Sequence, residues 1–458
     1  MIRRILKIFA FIIAGLGILG LAMVGPIDRS AISERPFYKE MMSRLDTLNP
    51  PVFPYESALT CGWEKINITP SNIMPMAGYS PRDRFDSVHD SLYARVLKVD
   101  NGSISVAFVN VDLLLFPTVL KQRINEKLDS VGTHPFLYLS ATHTHNGAGG
   151  WESSIAGRIA FGSYHPEWVE RIANEIVSAI NSIELVPSTL SYWEADGSDL
   201  VQNRIDRENG ATDGILRGMM IERSDNSRAI LFTFSAHPTS IDKESRVLSA
   251  DYPGAVIKAL EATDTYDFGM FMAGMVGSHR FAWVPETGFE FIDKITPVLA
   301  ERIDVKTIDS VSLVEAVAVP DIKAMHVPIE FGAAQPRISK NWKIRNWVVS
   351  ALARPLQGEA TYVAMGNIVL IGLPCDFSGE IFKLEKFADL ARSAGKHVII
   401  TSFNGDYNGY ITWDPHYETG TAEEVNATNW VGPGYGKYFA EIVRSLIVQD
   451  SAQNNGNN

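Results

Sequence analysis

The stretch of sequence that decides the fold is PFLYLSATHTHNGAGG, residues 135–150. Its first half is an apolar and aromatic run of the strand type, and polar residues and glycines begin where that run ends. Side chains two apart in an extended strand share a face, so His143 and His145 are predicted to point into one pocket. A lone histidine at a strand end is most often a hydrogen-bonded structural residue. Two histidines followed by glycines indicate a metal site as the alternative.

The same arrangement recurs along the chain, where short apolar strands alternate with amphipathic helices. Four further segments are predicted to be strands that run into polar loops: SISVAFVNVDLLL (103–115), RAILFTFSAHP (228–238), NIVLIGLPCDF (367–377) and HVIITSFNGDY (397–407). The segment 165–180 places one apolar stripe along a helix, formed by Trp168, Ile172, Ile176 and Ile180. We therefore predict an α/β fold, a single large body whose central strands carry a metal site at their C-terminal ends, where open α/β sheets tend to place active sites.

Composition excludes several classes of protein. The formal net charge of -12 argues against a nucleic-acid partner, which needs a basic surface. The only two cysteines in the sequence, Cys61 and Cys375, exclude a disulfide framework and the thiolate zinc clusters of finger domains. If a transition metal is bound, the ten histidines must supply most of its nitrogen ligands.

The N-terminus has the pattern of a targeting signal. Arg3, Arg4 and Lys7 precede an apolar run, Ile8 to Gly25, of about 18 residues, which is near the minimum for crossing a bilayer. We predict an uncleaved N-terminal transmembrane helix that anchors the protein, and a cleaved signal peptide is the alternative. In either case the basic residues predict that the rest of the chain lies outside the cytoplasm, in the periplasm or the extracellular space.

The predicted domain organisation has four parts. Residues 1–25 form the membrane anchor or signal segment, and residues 26–55 form a stalk with a short helix around Lys39 to Leu45. Residues 56–448 form one catalytic domain, because no linker or shift of composition divides them. Residues 449–458 form a polar tail.

Polar residues with metal-binding chemistry follow four of the strands: ATHTHNG (141–147), SAHPTS (235–240), LPCDFS (373–378) and NGDYNGY (404–410). Two histidines and one aspartate from these segments would satisfy a catalytic zinc ion, with a phenol or a water completing its coordination. For Asp376 the structural alternative is an N-cap of a helix over Ser378 to Arg392.

Several of these strings resemble the neutral, non-lysosomal ceramidases, zinc amidases that release fatty acid and sphingosine from ceramide. Four strings in the family's order carry the resemblance, which extends from about Cys61 to Tyr438: SLYAR (91–95) preceded by His89, ATHTHNGAGG (141–150), AHPTS (236–240) and NGYIT (408–412) preceded by Tyr407. The resemblance implies that His143, His237 and Tyr410 bind Zn2+. Asp376 takes the place of a family glutamate, so its shorter carboxylate must approach the ion more closely.

The resemblance also implies catalytic roles. His145 matches a histidine beside the scissile bond, and Arg204 matches an arginine that polarises the amide oxygen, with a structural salt bridge as its alternative role. Tyr410 would face the same developing charge as Arg204. The family's catalytic serine has no direct counterpart, because Arg280 stands at its position and Ser278 lies two residues early. On a shifted loop Ser278 is predicted to act as the nucleophile or to position a water, and the alternative is a turn residue.

These expectations combine into a zinc-dependent hydrolase that cleaves the amide bond of ceramide or a related N-acyl lipid. A zinc hydrolase of the same scaffold acting on another amide or ester, and a membrane-tethered lipid-binding protein without catalysis, remain alternatives. Trp151 and Phe161 either line an acyl slot or belong to the core. The basic, apolar stretch Asn341 to Arg354 is predicted either as a helix at a membrane interface or as an ordinary surface helix.

Overall fold

The computed structural model describes residues 4, 17, 20–79, 82, 84–282, 285–304, 313–317, 321–420 and 422–449. Strands within these residues are β1 Val24–Pro26, β2 Val52–Phe53, β3 Thr60–Asn67, β4 Ser87–Val88, β5 Tyr93–Asp100, β6 Ser105–Val111, β7 Phe136–Ala141, β8 Val186–Asp196, β9 Val201–Asn203, β10 Ile215–Arg223, β11 Arg228–Phe234, β12 Val247–Leu248, β13 Phe268–Ala273, β14 His279–Phe281, β15 Leu313–Val317, β16 Ile322–Pro328, β17 Trp342–Ile344, β18 Glu359–Met365, β19 Ile368–Gly372, β20 Asp376–Phe377, β21 His397–Thr401 and β22 Tyr410–Ile411. The α-helices are Pro36–Asp46, Thr118–Val131, Ile155–Phe161, Pro166–Ser182, Asp251–Glu261, Gly288–Ile303, Asn346–Leu352, Gly379–Leu384, Phe387–Ser393, Asp414–Thr419 and Tyr435–Val448, and short 3-10 turns cover Ile32–Glu34, Ser198–Leu200 and Glu423–Val425.

Two sheets form the centre of the molecule. The larger has nine strands in the order β13-β11-β10-β8-β3-β5-β6-β7, with β15 also pairing with β8. The smaller has five strands in the order β2-β16-β18-β19-β21. Most strand pairs are antiparallel, but β6 with β7, β11 with β13, and β19 with β21 are parallel. Each parallel pair brings two C-terminal strand ends to the same edge of its sheet.

The two sheets pack face to face, because one buried apolar cluster takes residues from both, among them Phe108, Tyr138, Met219, Val363 and Leu370. The outer face of the large sheet packs against helices that include Pro166–Ser182 and Asp251–Glu261. The outer face of the small sheet packs against helices that include Tyr435–Val448. The result is a mixed α/β body with four layers, helix, sheet, sheet and helix.

The sequence patterns predicted these elements closely. The stripe of Trp168, Ile172, Ile176 and Ile180 is buried on the helix Pro166–Ser182. The short helix expected around Lys39 to Leu45 lies within Pro36–Asp46. All five predicted strand segments contain a strand, and the polar residues follow within a few residues of each strand's end.

The predicted N-terminal transmembrane helix is wrong. Among the described residues, no helix has the length and apolar character needed to cross a membrane. The predicted span needed all of Ile8 to Gly25 to be helical, but its last residues belong to β1, which pairs antiparallel with β17. Those residues therefore form part of the folded body. Residues 1–3, 5–16, 18 and 19, and residues 450–458 of the predicted tail, lie outside the described part of the chain.

The stretch Asn341 to Arg354 is not one helix either. Its first part is β17, and only Asn346–Leu352 is helical. The Arg345 and Trp347 side chains donate hydrogen bonds to the carbonyls of Val24 and Ala22. This segment therefore holds residues 22–26 against the body.

Candidate metal centre

Three imidazoles meet at the edge of the large sheet. His143 and His145 follow the end of β7, and His237 follows the end of β11. The Nε2 atom of His143 lies 2.9 Å from that of His237, and the Nε2 atom of His145 lies 3.2 Å and 3.1 Å from the other two. Nitrogens bound to a tetrahedral zinc ion lie roughly 3.3 Å apart, given bonds of about 2.0–2.1 Å. The three imidazoles are therefore spaced as ligands of one ion would be.

The histidines converge through a turn and not through an extended strand. The strand β7 ends at Ala141, and His143 has a left-handed backbone with φ of 62°. Such a conformation is uncommon for a residue with a side chain, and it clusters at functional sites. The sequence therefore predicted that His143 and His145 point to one place, but the extended strand assumed for them is not what brings them together.

Backbone carbonyls fix the orientation of two of the rings. His143 donates from Nδ1 to the carbonyl of Leu114, and His237 donates from Nδ1 to the carbonyl of Val276 at 3.2 Å. Their Nε2 atoms then carry lone pairs, and these face each other across 2.9 Å. No hydrogen can join the two lone pairs in that state. A cation between them relieves the repulsion.

All three histidines are neutral in this environment. Burial lowers the pKa of His143 to about 3, and the hydrogen bond that His143 donates to the Leu114 carbonyl acts in the opposite direction. Burial also lowers the pKa of His145 and of His237 well below the usual value, and the nearby Arg204 adds to both shifts. Neutral imidazole is the form that binds metal ions.

Asp376 and Tyr410 approach the same point from the short parallel pair of β20 and β22, in which they are directly opposite. The Oδ2 atom of Asp376 lies 3.7 Å from Nε2 of His143, and the Tyr410 hydroxyl lies 3.5 Å from Nε2 of His237. The N-cap predicted as the alternative for Asp376 is wrong, because Ser378 is the residue that precedes the helix Gly379–Leu384.

The Asp376 carboxylate lacks compensation from the protein. It is fully buried, and neither oxygen has a hydrogen-bond partner among the described residues. Burial raises its pKa to about 8, although Tyr410 and Arg204 oppose the shift. An isolated buried carboxylate is costly, and such groups are normally paired or bound to metal. Two facing lone pairs beside an unpaired carboxylate and a phenol therefore fit a divalent cation.

His145 differs from the other two histidines. Its Nδ1 is buried and has no hydrogen-bond partner within the described structure, whereas ligating histidines almost always donate from their second nitrogen. Tyr79 packs on its ring with centroids 4.8 Å apart. The geometry thus offers two donor sets that share His143 and His237: the three imidazoles, and the set with Asp376 and Tyr410 that the resemblance implies. The free Nδ1 of His145 favours the second set, in which His145 is not a ligand.

Arg204 lies beside the centre and is held by an ion pair that the sequence did not indicate. Its Nε is 2.5 Å from Oε1 of Glu424, which is itself buried. Burial works against its charge, but Tyr410, Glu424 and Asp376 together raise its pKa. Its Nη1 is a buried donor without a partner. Arg204 therefore forms a salt bridge, which was its predicted alternative role, and also keeps a free donor near the centre.

Ser278 has a different environment from the imidazoles. It is fully buried, and its Oγ accepts hydrogen bonds from the Ser378 hydroxyl at 2.8 Å and from the Glu380 amide at 3.1 Å. No hydrogen bond in the described part of the chain joins Ser278 to His143, His145 or His237. The structure thus places Ser278 at the start of the helix Gly379–Leu384, and its catalytic role stays a prediction.

An apolar cavity of about 350 Å³ opens next to the centre. None of the five side chains of the centre lines this cavity, but two lining residues lie close to them. Leu115 follows the residue whose carbonyl orients His143, and Tyr407 packs on Phe403. The Phe403 ring stacks on His143 with centroids 3.9 Å apart. The apolar lining of the cavity includes Trp151, Ala156, Ala160, Phe161, Val349, Leu352, Leu356 and Trp430. Trp151 and Phe161 therefore belong both to the core and to the wall of a slot.

The fold and the centre together define a two-sheet α/β protein with three buried histidines that could hold a metal ion. Within this class, the family model described as neutral/alkaline non-lysosomal ceramidase, N-terminal, matches residues 60–280. The resemblance to the neutral/alkaline non-lysosomal ceramidases that was drawn from the sequence strings is therefore confirmed for that segment of the chain. The matched segment includes all three histidines and ends before Asp376 and Tyr410.

Two solved structures support the same fold over a longer part of the chain. The neutral ceramidase from Pseudomonas aeruginosa superposes with a TM-score of 0.72 at 17% identity, covering 87% of this chain and 75% of that chain. A structure described as ceramidase complexed with C2 gives a TM-score of 0.72 at 16% identity, covering 87% of this chain and 76% of that chain. At these identities the likeness establishes the fold alone.

Proposed function

We propose that this protein is a zinc-dependent hydrolase that cleaves the amide bond of ceramide or a related N-acyl lipid. The observation that carries the proposal is the pair of Nε2 lone pairs of His143 and His237, 2.9 Å apart, beside the buried and unpaired carboxylate of Asp376. Nitrogen and carboxylate ligands with a phenol suit zinc. His143, His237, Asp376 and Tyr410 would hold the ion.

A zinc ion bound there supplies positive charge that acidifies water and polarises a carbonyl group. The chain's own residues complete the arrangement. Arg204 presents its free Nη1 donor to the negative charge that develops on the amide oxygen, and Glu424 holds its guanidinium in place. The Tyr410 hydroxyl faces the same charge. His145 carries an unpartnered Nδ1, so it is the group placed to pass a proton to the leaving amine.

The apolar cavity supports an N-acyl lipid as the substrate. Its walls would take the hydrocarbon chain and exclude water from the scissile bond. Because Leu115 and Tyr407 in the cavity wall lie close to the groups that contact His143, a chain that enters the cavity would bring its carbonyl toward the three imidazoles. This placement favours an amide with one long apolar arm.

Two measurements test the proposal. Metal analysis of the purified protein should find close to one zinc per chain, and turnover of a fluorescent ceramide analogue should stop with a chelator and return with added zinc. His237→Ala should lose both metal and turnover. Protein that keeps full activity after complete removal of metal would refute zinc dependence. Absence of metal and of turnover together would instead support a lipid-binding protein without catalysis.

The remaining alternative is the same chemistry on another amide or ester. Chelator-sensitive cleavage of other N-acyl compounds, without turnover of ceramide, would support it. We also propose, from the basic and apolar N-terminal residues alone, that the catalytic body acts outside the cytoplasm, in the periplasm or the extracellular space. Fractionation of cells that express the full chain tests that location.

A further inference from the structure

A cluster of arginines lies beside the candidate metal centre. Arg280 on β14 is directly opposite Gln202 on β9, so the two side chains share one face of this short pair. Arg204 lies in the bend directly after β9 and acts electrostatically on Arg280. Arg207, which is exposed, acts electrostatically on Arg280. We call Arg204, Arg207 and Arg280 the arginine cluster.

The cluster has more positive charge and more donors than the protein uses. Among the described residues, Glu424 is the one carboxylate that opposes the charge of Arg280, and it is already in contact with Arg204. Burial, together with Arg207 and Arg204, lowers the pKa of Arg280. Besides the Arg204 Nη1 that faces the amide oxygen, two buried donors lack a partner in the described structure: Arg280 Nε and Gln202 Nε2. Leaving such donors unmet in the free protein is costly unless a ligand meets them.

The position of the cluster relates it to a substrate. The Arg204 amide donates to the carbonyl of Ser278, two residues after Val276, whose carbonyl orients His237. None of the three arginines lines the apolar cavity. A bound amide whose acyl arm enters the cavity would therefore leave its amine portion outside it, on the side of the centre where Arg204 lies.

We propose that the arginine cluster binds an oxyanion, a carboxylate or a sulfonate, carried by the amine portion of an N-acyl substrate. Guanidinium groups match such groups with paired hydrogen bonds. The formal net charge of the chain is -12, so a local excess of positive charge at this place is specific to the site and not a general property of the surface. The proposal rests on the proposed function and narrows its substrate class.

Turnover of matched substrates tests the proposal. N-dodecanoylglycine and N-dodecanoyltaurine carry the two oxyanions on one acyl chain, and N-dodecanoylethanolamine is the neutral control. We expect the wild-type protein to have a higher kcat/KM for an anionic substrate. Arg280→Gln should raise KM for that substrate by about tenfold or more, as loss of a charged hydrogen bond implies, and leave the neutral one within about twofold. Arg228→Gln, which removes a cation whose partner is Glu222 far along the sheet, is the matched control.

Binding to metal-depleted protein separates this proposal from the amidase proposal. Titration calorimetry with N-dodecanoylglycine, below its micellar concentration, should give a Kd that Arg280→Gln weakens by about tenfold and Arg228→Gln leaves unchanged. The exposed Arg207→Gln, which carries little risk to folding, should weaken it about threefold. If no amide is cleaved but these shifts occur, the anion site stands and the amidase proposal fails. If the neutral compound binds as tightly as the anionic one, or Arg280→Gln weakens both equally, the anion site is refuted whatever the turnover.

Discussion

Replacing Ser278 with alanine separates a structural role from a catalytic one. In the structure, the Ser278 Oγ accepts from the Ser378 hydroxyl and from the Glu380 amide, in a fully buried position. The Glu380 amide belongs to the first turn of the helix Gly379–Leu384, where helix amides have no partner within the helix. Ser278 therefore caps this helix from another part of the chain.

The expected cost follows from those two hydrogen bonds. Ser278→Ala leaves two buried donors without an acceptor, each worth about 1–3 kcal/mol. Because the Ser378 hydroxyl can rotate toward another acceptor, we expect a loss of about 2–4 kcal/mol in the free energy of unfolding. Turnover of the protein that remains folded should change by less than about threefold, since Ser278 has no hydrogen bond to the imidazoles in the described structure.

Urea unfolding and turnover of a fluorescent N-acyl substrate, measured on one preparation, give both quantities. Ser378→Ala is the matched control: it removes one donor and leaves the Glu380 amide bonded to Ser278, so it should cost about 1 kcal/mol. The double variant should be less destabilised than the sum of the two. A Ser278→Ala protein with wild-type stability and turnover reduced more than about a thousandfold would refute the structural reading and establish Ser278 as the nucleophile.

Three further predictions concern other parts of the molecule. Glu380 raises the pKa of His416 above its usual 6.5, so their pair stabilises the fold fully below about pH 6.5 and loses its contribution as pH rises through the folded-state pKa. His416→Gln should therefore be more destabilised at about pH 6 than at about pH 9 in urea unfolding, and an equal loss at both would contradict this. Glu424→Gln leaves the Arg204 charge unpaired. Because the Arg204 side chain keeps 23% exposure, we expect a loss of about 2–3 kcal/mol in the free energy of unfolding and a lower kcat. A change below about 0.5 kcal/mol in the free energy of unfolding would count against a functional ion pair. Ala160→Phe should fill the apolar cavity and raise KM for a long acyl chain by about tenfold while leaving a two-carbon chain unaffected, and equal effects on both chains would exclude the cavity as the acyl slot.

The sequence predicted the elements of the fold because local patterns determine them. Alternating and continuous apolar runs located β6, β7, β11, β19 and β21, and the polar residues that follow each strand located the candidate site. The pairing of two sheets into a central double layer was not predicted, because register and sheet order depend on contacts between distant parts of the chain. The N-terminal helix was wrong for the same reason: an apolar run does not reveal that its last residues pair with β17.

The candidate site was predicted in part for similar reasons. Histidines and an aspartate after strands carry a recognisable signal, and His143, His237 and Asp376 do meet. The groups that orient these side chains have no recognisable pattern in the sequence. The carbonyls of Leu114 and Val276 are backbone atoms that any residue supplies, and Glu424 lies in a short 3-10 turn without a motif. Only the folded chain reveals such partners.

The candidate centre takes its donors from both halves of the fold. The histidines follow strands of the large sheet, whereas Asp376 and Tyr410 lie on β20 and β22, beyond the segment 60–280. Ion affinity and packing of the β20–β22 pair against the histidine-bearing ends of the large sheet are therefore thermodynamically linked, so whatever strengthens one strengthens the other by the same free energy. A fragment truncated after residue 280 would keep the imidazoles but lose the carboxylate and the phenol, and it should bind zinc much more weakly than the full chain.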